Sequence, residues 1–252
     1  MLRAVTFDYW GTLYQGDFVR PYRLALLGDA LRQAGQPRTP EELQSAYAHC
    51  WQVFDRVWKQ EQRSMPIEEW LREILSFLKA YIPEDTQARL HRSVQEALLE
   101  HPPKLIPGVA EVLPRLAQHY RLGVISDVGL TPGRVLRELL RRDGLARFFS
   151  TMTFSDEVGA TKPRPEVFER TLGALDAAPA EAAHVGDLPE TDLVGARAVG
   201  MKAVLFLGVS GREDGRELAD GVFSDYRELE EILNALSGAS GLGGMITAGS
   251  AA

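Results

Sequence analysis

The sequence predicts an α/β protein: a parallel sheet with helices on both faces, plus an inserted all-helical cap. Three observations predict it. Short apolar runs with β-branched members recur at 2–8, 121–127, 151–155, 182–187 and 202–207, with a less marked run at 221–225. Helical patterns at 108–119, 132–142, 165–175, 190–199 and 226–236 lie between and after them. Residues 16–104 break this alternation and hold no convincing strand. Strands alternating with helices at such spacing argue for a parallel sheet covered on both sides. Strands buried on both faces read as near-continuous apolar runs, as these do.

The first run, Leu2-Arg3-Ala4-Val5-Thr6-Phe7-Asp8, ends on an acid. The block after it reads as four helices, about 20–34, 40–61, 66–81 and 84–100. Gly35, Pro37, Pro40, Pro66, Pro83, Pro102 and Pro103 punctuate them. Thr39 before Pro40, with Glu42 three residues on, is a capping-box start. Beyond the block, Pro165 sits where a first-turn proline belongs. The expected division is a core of 1–15 and 105–236, a helical cap of 16–104 and a flexible tail of 237–252, rich in Gly, Ser and Ala.

Composition bounds the function. The chain has 252 residues, 45% hydrophobic and 25% charged, which is ordinary globular usage. A single cysteine, Cys50, excludes an intrachain disulfide framework and a Cys-based zinc site. No run of about 18 apolar residues occurs, so no membrane helix is expected. The apolar run at the N-terminus is too short for a signal peptide, and a cytoplasmic location is the default. With net charge −7 and no basic block, nucleic acid is not an expected partner. Of 28 Lys plus Arg only five are Lys, so each lysine is a less automatic choice here.

Ligands of an open parallel sheet bind beyond the carboxyl ends of its strands. The residues at those ends are acidic or hydroxylic: Asp8, Ser126, Asp127 and Asp187, with Asp192 five residues further. A strand-end Asp or Ser can equally cap the next helix or close a turn. Carboxylates gathered at one edge, however, repel unless a cation or proton sits between them. If the fourth strand returns beside the first, Asp8 and Asp187 become neighbours. An all-oxygen cluster of two or three carboxylates suits Mg²⁺, which completes its shell with water and substrate phosphate.

Four segments carry a resemblance: Asp8-Tyr9-Trp10-Gly11-Thr12-Leu13, Val124-Ile125-Ser126-Asp127, Lys162-Pro163 and Gly186-Asp187-Leu188-Pro189-Glu190-Thr191-Asp192. Their order and spacing resemble the four motifs of the haloacid dehalogenase-like hydrolase superfamily, in its helical-cap form. The resemblance implies a Rossmann-like core and attack by a strand-end Asp, followed by hydrolysis of the aspartyl intermediate. Carried over, it makes Asp8, Ser126 and Lys162 catalytic, with Asp8 the nucleophile. Gly11, Thr12 and Asp127 become substrate-binding. Asp8, the Trp10 carbonyl, Asp187 and Asp192 become the Mg²⁺ ligands, Asp192 directly or through water. The implied activity is a Mg²⁺-dependent phosphatase acting on a small phosphorylated metabolite. For Lys162 a surface lysine beside a proline turn is the plainer reading, and for Asp192 a helix-N-terminal charge.

Trp10 departs from the motif. Superfamily phosphatases usually carry a second Asp there, which protonates the leaving alcohol and then activates water. An indole N–H only donates a hydrogen bond. Alkyl phosphates are therefore expected to be poor substrates, while acyl and aryl phosphates need no such acid. A 2-haloacid dehalogenase is the alternative, since halide leaves without a proton and members with that activity carry an aromatic residue at this place. That subfamily works without metal, and its fourth motif lacks the acidic Asp187…Asp192 pattern. Its substrate carboxylate needs an Arg, for which Arg20, Arg23 and Arg38 are available. A non-catalytic phospholigand-binding or interaction protein is the third reading. Tyr47, Trp51, Phe54 and Trp58 form an aromatic stripe at helical spacing. It reads either as packing between cap helices or as an apolar lid over the site. Glu190, in the fourth motif, is the spare candidate for the missing base.

Overall fold

In the computed structural model, residues 1–16 and 19–238 are described. The tail assigned to 237–252 lies outside them from residue 239 on. Six strands form one sheet: β1 (Ala4–Phe7), β2 (Arg121–Ser126), β3 (Phe149–Phe154), β4 (Ala182–Gly186), β5 (Lys202–Phe206) and β6 (Gly221–Phe223). Their order is β3-β2-β1-β4-β5-β6, and every neighbouring pair is parallel. The predicted α/β sheet is thus the observed one.

The helices are α1 (Arg20–Gln33), α2 (Pro40–Arg56), α3 (Ile67–Leu78), α4 (Glu84–Glu100), α5 (Val109–Leu116), α6 (Gly133–Arg142), α7 (Ser155–Val158), α8 (Pro165–Leu175), α9 (Val194–Ala198) and α10 (Leu229–Leu236). Alternation along the central strands feeds two cores. Val5, Phe7, Val124 and Val185 join a cluster with residues of α5, α6 and α10. Ala4, Ile125 and Ala182 join another with residues of α8 and α9 on the opposite face. This two-sided burial is why these strands carry no polar face.

Helices α1 to α4 bury a third cluster largely of their own, centred on the fully buried Trp70. The capping box at α2 forms as the sequence predicts: Thr39 Oγ1 accepts from Glu42 N at 3.2 Å, and Glu42 Oε2 accepts from Thr39 N at 2.7 Å. The chain enters and leaves this block through two segments hydrogen-bonded to each other. Gln15 N donates to the Lys104 carbonyl and Ile106 N to that of Leu13, each at 2.9 Å.

Two widened turns and one short helix differ from the sequence reading. The helix expected over 40–61 widens at Val57–Glu61 into a π-type turn. The helix expected over 190–199 begins as another such turn at Pro189–Leu193 before α9. Short α7 was not predicted, because four residues carry no readable period.

Candidate active site

β1 and β4 are neighbours in register, with Phe7 beside Val185. Asp8 and Asp187 therefore leave the sheet at the same carboxyl edge. One oxygen from each of Asp8, Asp187 and Asp192 lies within 4.8 Å of the others. Lys162, on the turn before α8, reaches this cluster from the side of β2 and β3. Its Nζ donates to Asp8 Oδ1 at 2.5 Å and to Asp192 Oδ1 at 2.6 Å. All four side chains are buried, so the surface reading does not describe Lys162, while Asp192 lies in the first turn of Pro189–Leu193.

Asp192 is already satisfied by the protein. Its Oδ1 meets Lys162 and His184 Nε2, the latter at 3.1 Å. Its Oδ2 accepts from the backbone N–H groups of Asp187 at 3.1 Å and Leu188 at 2.9 Å. The π-type turn at Pro189–Leu193 swings Asp192 back under its own loop to make these bonds. Gly186 allows the approach: a Cβ there would stand 2.2 Å from Asp192 Cγ. Gly11 plays the same part for Asp187. Its φ of +71° suits glycine, and a Cβ would stand 2.4 Å from Asp187 Oδ2.

The electrostatics follow from burial. Burial raises the Asp8 carboxyl to about 7; Lys162 opposes this and Asp192 adds to it. Burial, then the Asp8 and Asp192 charges, raise Asp187 to about 8. Asp192 moves the other way: burial alone would raise it, but the Lys162 charge and the His184 bond hold it low. Burial alone would lower Lys162, and Asp192, Asp8 and Asp127 outweigh that, holding it charged. His184 is pushed down by burial, against the pull of Asp192. A neutral His184 donates Nε2–H to Asp192 and accepts from Thr6 Oγ1 on Nδ1, 2.8 Å away.

These features fit a divalent cation. The donor set is all oxygen, Asp187 Oδ1 is buried without a hydrogen-bond partner, and burial raises both Asp8 and Asp187, with the Asp8 charge adding to Asp187. Asp8 and Asp187 have capacity left for a metal. Asp192, with both oxygens engaged, is better placed to hold Lys162 and the loop than to ligate directly.

Asp8, Lys162 and Asp187 line a cavity of about 400 Å³, whose lining does not include Thr12, Ser126 or Asp192. Trp10 and Gly11 line it beside Asp8. Thr12 is buried with its Oγ1 unpartnered, and its carbonyl accepts from Tyr226 OH at 2.6 Å. Ser126 is buried at the end of β2, its Oγ 3.3 Å from the Asp127 carbonyl. Asp127 lines the cavity, but both its oxygens are taken. Oδ1 accepts from Lys162 N and Oδ2 from Trp58 Nε1, each at 2.9 Å. Its carboxylate thus ties the Lys162 turn to the end of α2. Exposed Glu190 turns away to pair with half-buried Arg212 at 3.0 Å, which removes it as a spare base. Arg20 stacks over Tyr47, and Arg38 caps backbone carbonyls. Arg23 is buried on Val94 O and Thr131 Oγ1. None of the three lines the cavity.

The aromatic stripe divides. Tyr47 is buried within the helical cluster beside Trp70. Trp51, Phe54 and Trp58 both pack together and line the cavity. Sequence reasoning missed His184, whose one signal is a basic ring interrupting a fully buried strand. It also missed Leu130, Thr131 and Val209, cavity residues in loops without periodicity.

Comparison with known proteins agrees with this geometry. The chain is 35% identical over 137 residues to a protein named glyceraldehyde 3-phosphate phosphatase from Pyrococcus furiosus, covering 53% of this chain and 56% of that one. The match thus spans about half that relative's length. A protein of the same name from Methanothermobacter thermautotrophicus is 31% identical over 243 residues, covering 92% of this chain and all of the other. A crystal structure titled 2-haloacid dehalogenase, from Pseudomonas syringae pv. Tomato DC3000, superposes with a TM-score of 0.70 at 28% identity, covering 93% of this chain and 99% of that one. The family model of the haloacid dehalogenase-like hydrolases matches residues 2–200. With its acidic sheet edge, its ordered motifs and this match across most of its length, the chain belongs to the haloacid dehalogenase-like hydrolase family.

Proposed function

We propose that this chain is a Mg²⁺-dependent phosphatase of a small phosphorylated metabolite, working through a phosphoaspartyl intermediate on Asp8. The observation that carries the reading is the buried cluster in which Lys162 bridges Asp8 and Asp192 while Asp187 stands beside them. Phosphoryl transfer depends on positioning and on stabilising charge, and this cluster supplies both.

Lys162 grips Asp8 Oδ1, which leaves the other oxygen to attack phosphorus in line with the leaving group. The same ammonium offsets charge on the phosphoryl oxygens as the bond to Asp8 forms. Ser126 Oγ and the loop at Gly11 and Thr12 offer donors to those oxygens. Asp192, held by His184 and two backbone N–H groups, keeps Lys162 in place. Asp127 fixes the backbone of the Lys162 turn. Asp8, Asp187 and the Trp10 carbonyl would hold Mg²⁺, which when bound lowers both carboxyl pKa values and neutralises phosphate charge. Water then attacks the phosphoaspartyl phosphorus and regenerates Asp8.

In this reading residues 1–15 and 105–236 are the catalytic core and 16–104 the cap that covers it. The names of the two archaeal relatives support phosphate-ester chemistry. The dehalogenase reading draws on the name of the Pseudomonas neighbour and on Trp10. It is the weaker one, because no arginine among the described residues lines the cavity to hold a substrate carboxylate. A cytoplasmic setting suits the free, buried Cys50, and no described helix is long and apolar enough to cross a membrane.

The test is a panel of phosphate esters, acetyl phosphate and 2-chloropropionate, each with Mg²⁺ and with EDTA. Phosphate release that EDTA abolishes, and that Asp8→Asn reduces to background, is the expected result. Metal-independent halide release without phosphate release would replace this reading with the dehalogenase one.

A further inference from the structure

We propose that the leaving group of this phosphatase is an aryl alcohol, so that the substrate is a phosphate monoester of a phenol carrying no second anionic group. The inference rests on the phosphatase reading and names its substrate class. Three independent observations carry it.

The first is the aromatic part of the cavity lining. Trp10, Trp51, Phe54 and Trp58 line the cavity, with Leu130 and Val209 completing an apolar surface. The rings brace one another: Trp51 meets Phe54 edge-on at 5.1 Å between centroids, and Phe54 lies parallel to Trp58 at 6.5 Å. Trp58 is further fixed by its indole bond to Asp127. A rigid aromatic wall favours a flat apolar group by stacking and by the area it takes from water. A polyol placed there would lose water from its hydroxyls with few partners in exchange.

The second is charge. Among the described residues Lys162 is the one cationic side chain lining the cavity, and its Nζ is committed to Asp8 and Asp192. A second phosphate or a carboxylate on the substrate would meet no counter-charge and would sit near acidic groups. Desolvating an unpaired charge is costly, so bisphosphates and phosphorylated carboxylic acids are disfavoured.

The third is the missing proton donor. Trp10 cannot protonate a departing oxygen. Asp127 accepts an N–H bond on each oxygen, from Trp58 Nε1 and from Lys162 N, which holds its carboxylate to the Lys162 turn. Glu190 faces Arg212. The leaving oxygen must depart as an anion. A phenol does so with a pKa near 10, as for a tyrosine side chain. An aliphatic alcohol, like water, is a far weaker acid, so its alkoxide is a much poorer leaving group. In the first step an Asp8 oxygen forms a bond to phosphorus while the P–O(aryl) bond breaks, its electron pair leaving as aryloxide. In the second, water oxygen bonds to phosphorus and the P–O(Asp8) bond breaks, returning its pair to the carboxylate. The proton lost from water equals the one taken up by the aryloxide in solvent. The sum is aryl phosphate plus water giving phenol plus inorganic phosphate.

The test uses the Mg²⁺-loaded wild-type protein and compares kcat/KM for phenyl phosphate, substituted phenyl phosphates of falling phenol pKa, ethyl phosphate, glycerol 3-phosphate and phosphoserine. Phenyl phosphate should exceed ethyl phosphate by about 100-fold or more, the scale of the absent acid catalysis. The aryl series should steepen as phenol pKa falls. Phe54→Leu and Trp51→Leu, each checked for an intact fold by circular dichroism, should lower the aryl-to-alkyl ratio by ~3–10-fold, the worth of an aromatic contact. Equal or faster turnover of ethyl phosphate or glycerol 3-phosphate, a flat aryl series, or a ratio untouched by both variants would overturn the aryl proposal and leave the phosphatase standing. Absence of phosphate release from every ester would overturn both.

Discussion

Trp10 is the residue on which the proposed chemistry turns, because the family resemblance implies an Asp at its place, from which a proton would be delivered. It is half-buried, edge-on to Tyr9 at 4.9 Å, and it lines the cavity beside Asp8. Replacing it with Asp puts a carboxyl next to the departing oxygen. Ethyl phosphate hydrolysis by Trp10→Asp should then rise by about 10-fold or more, within the range of general acid–base help. Turnover of aryl phosphates should gain little, since their leaving group needs no proton. If wild type already cleaves ethyl phosphate well and Trp10→Asp slows it, another group performs the transfer. A second residue-scale outcome concerns Gly11. Gly11→Ala needs a positive φ that alanine resists, and its Cβ would collide with Asp187 Oδ2. The variant should lose Mg²⁺-dependent turnover by ~10-fold or more and lose ~1–3 kcal/mol of stability in urea. Asp8, Asp187, Lys162 and Trp10 were legible as candidates because strand-end position and motif spacing are sequence properties. That Asp192 would spend both oxygens on protein donors was not, because it depends on a backbone turn no local pattern encodes.

Both π-type turns carry residues that build the site. Pro189–Leu193 delivers Asp192, and Val57–Glu61 delivers Trp58. Such widened turns are often found at functional positions because they redirect a side chain that regular helix would point elsewhere. The periodicity that revealed α2 ran smoothly through residue 61, so the sequence showed the helix and hid its widening. At this turn the helical block is tied to the core by more than Trp58: Gln62 O accepts from Thr161 N at 3.0 Å, and Ser64 Oγ donates to Ser155 Oγ at 2.7 Å. Asp127 is the hub, since it receives Trp58 and Lys162 N together. Trp58→Phe keeps an aromatic ring beside Phe54 while deleting the indole donor and one ring of the pair. It should destabilise the fold by about 1.5–3 kcal/mol, the range for a hydrogen bond to a charged group. It should also raise KM more than it lowers kcat, because Lys162 and Asp8 keep their other contacts. A kcat loss exceeding the KM change would mean that Asp127 acts in the chemical step.

At the scale of the whole molecule, two hydrophobic systems meet over one acidic edge. The parallel sheet with its two cores is rigid support for Asp8 and Asp187, and the helical block with its own cluster brings the aromatic wall. The alternation of strands with helices made this sheet legible, and the absence of strand signals made the helical block stand out. Which loop residues would meet across the gap was not legible, because Leu130, Thr131 and Val209 converge only through tertiary packing. The sheet edge stores repulsion: Asp8 and Asp187 are raised by burial, and Asp187 also by the neighbouring charges. A cation that binds only the native arrangement should relieve this and stabilise the fold by mass action. At 100 times its dissociation constant Mg²⁺ would add about 2.7 kcal/mol, a Tm rise of roughly 5–10 °C for a chain of this size. EDTA should reverse it. Asp187→Asn separates the metal from the repulsion. An amide beside Asp8 removes a like charge, so the metal-free variant should melt no lower than metal-free wild type. It should nevertheless show little or no rise with Mg²⁺, because a ligand oxygen has become an amide. If Asp187→Asn keeps the full Mg²⁺-dependent rise, the cation binds elsewhere and the carboxylate pair is not its site.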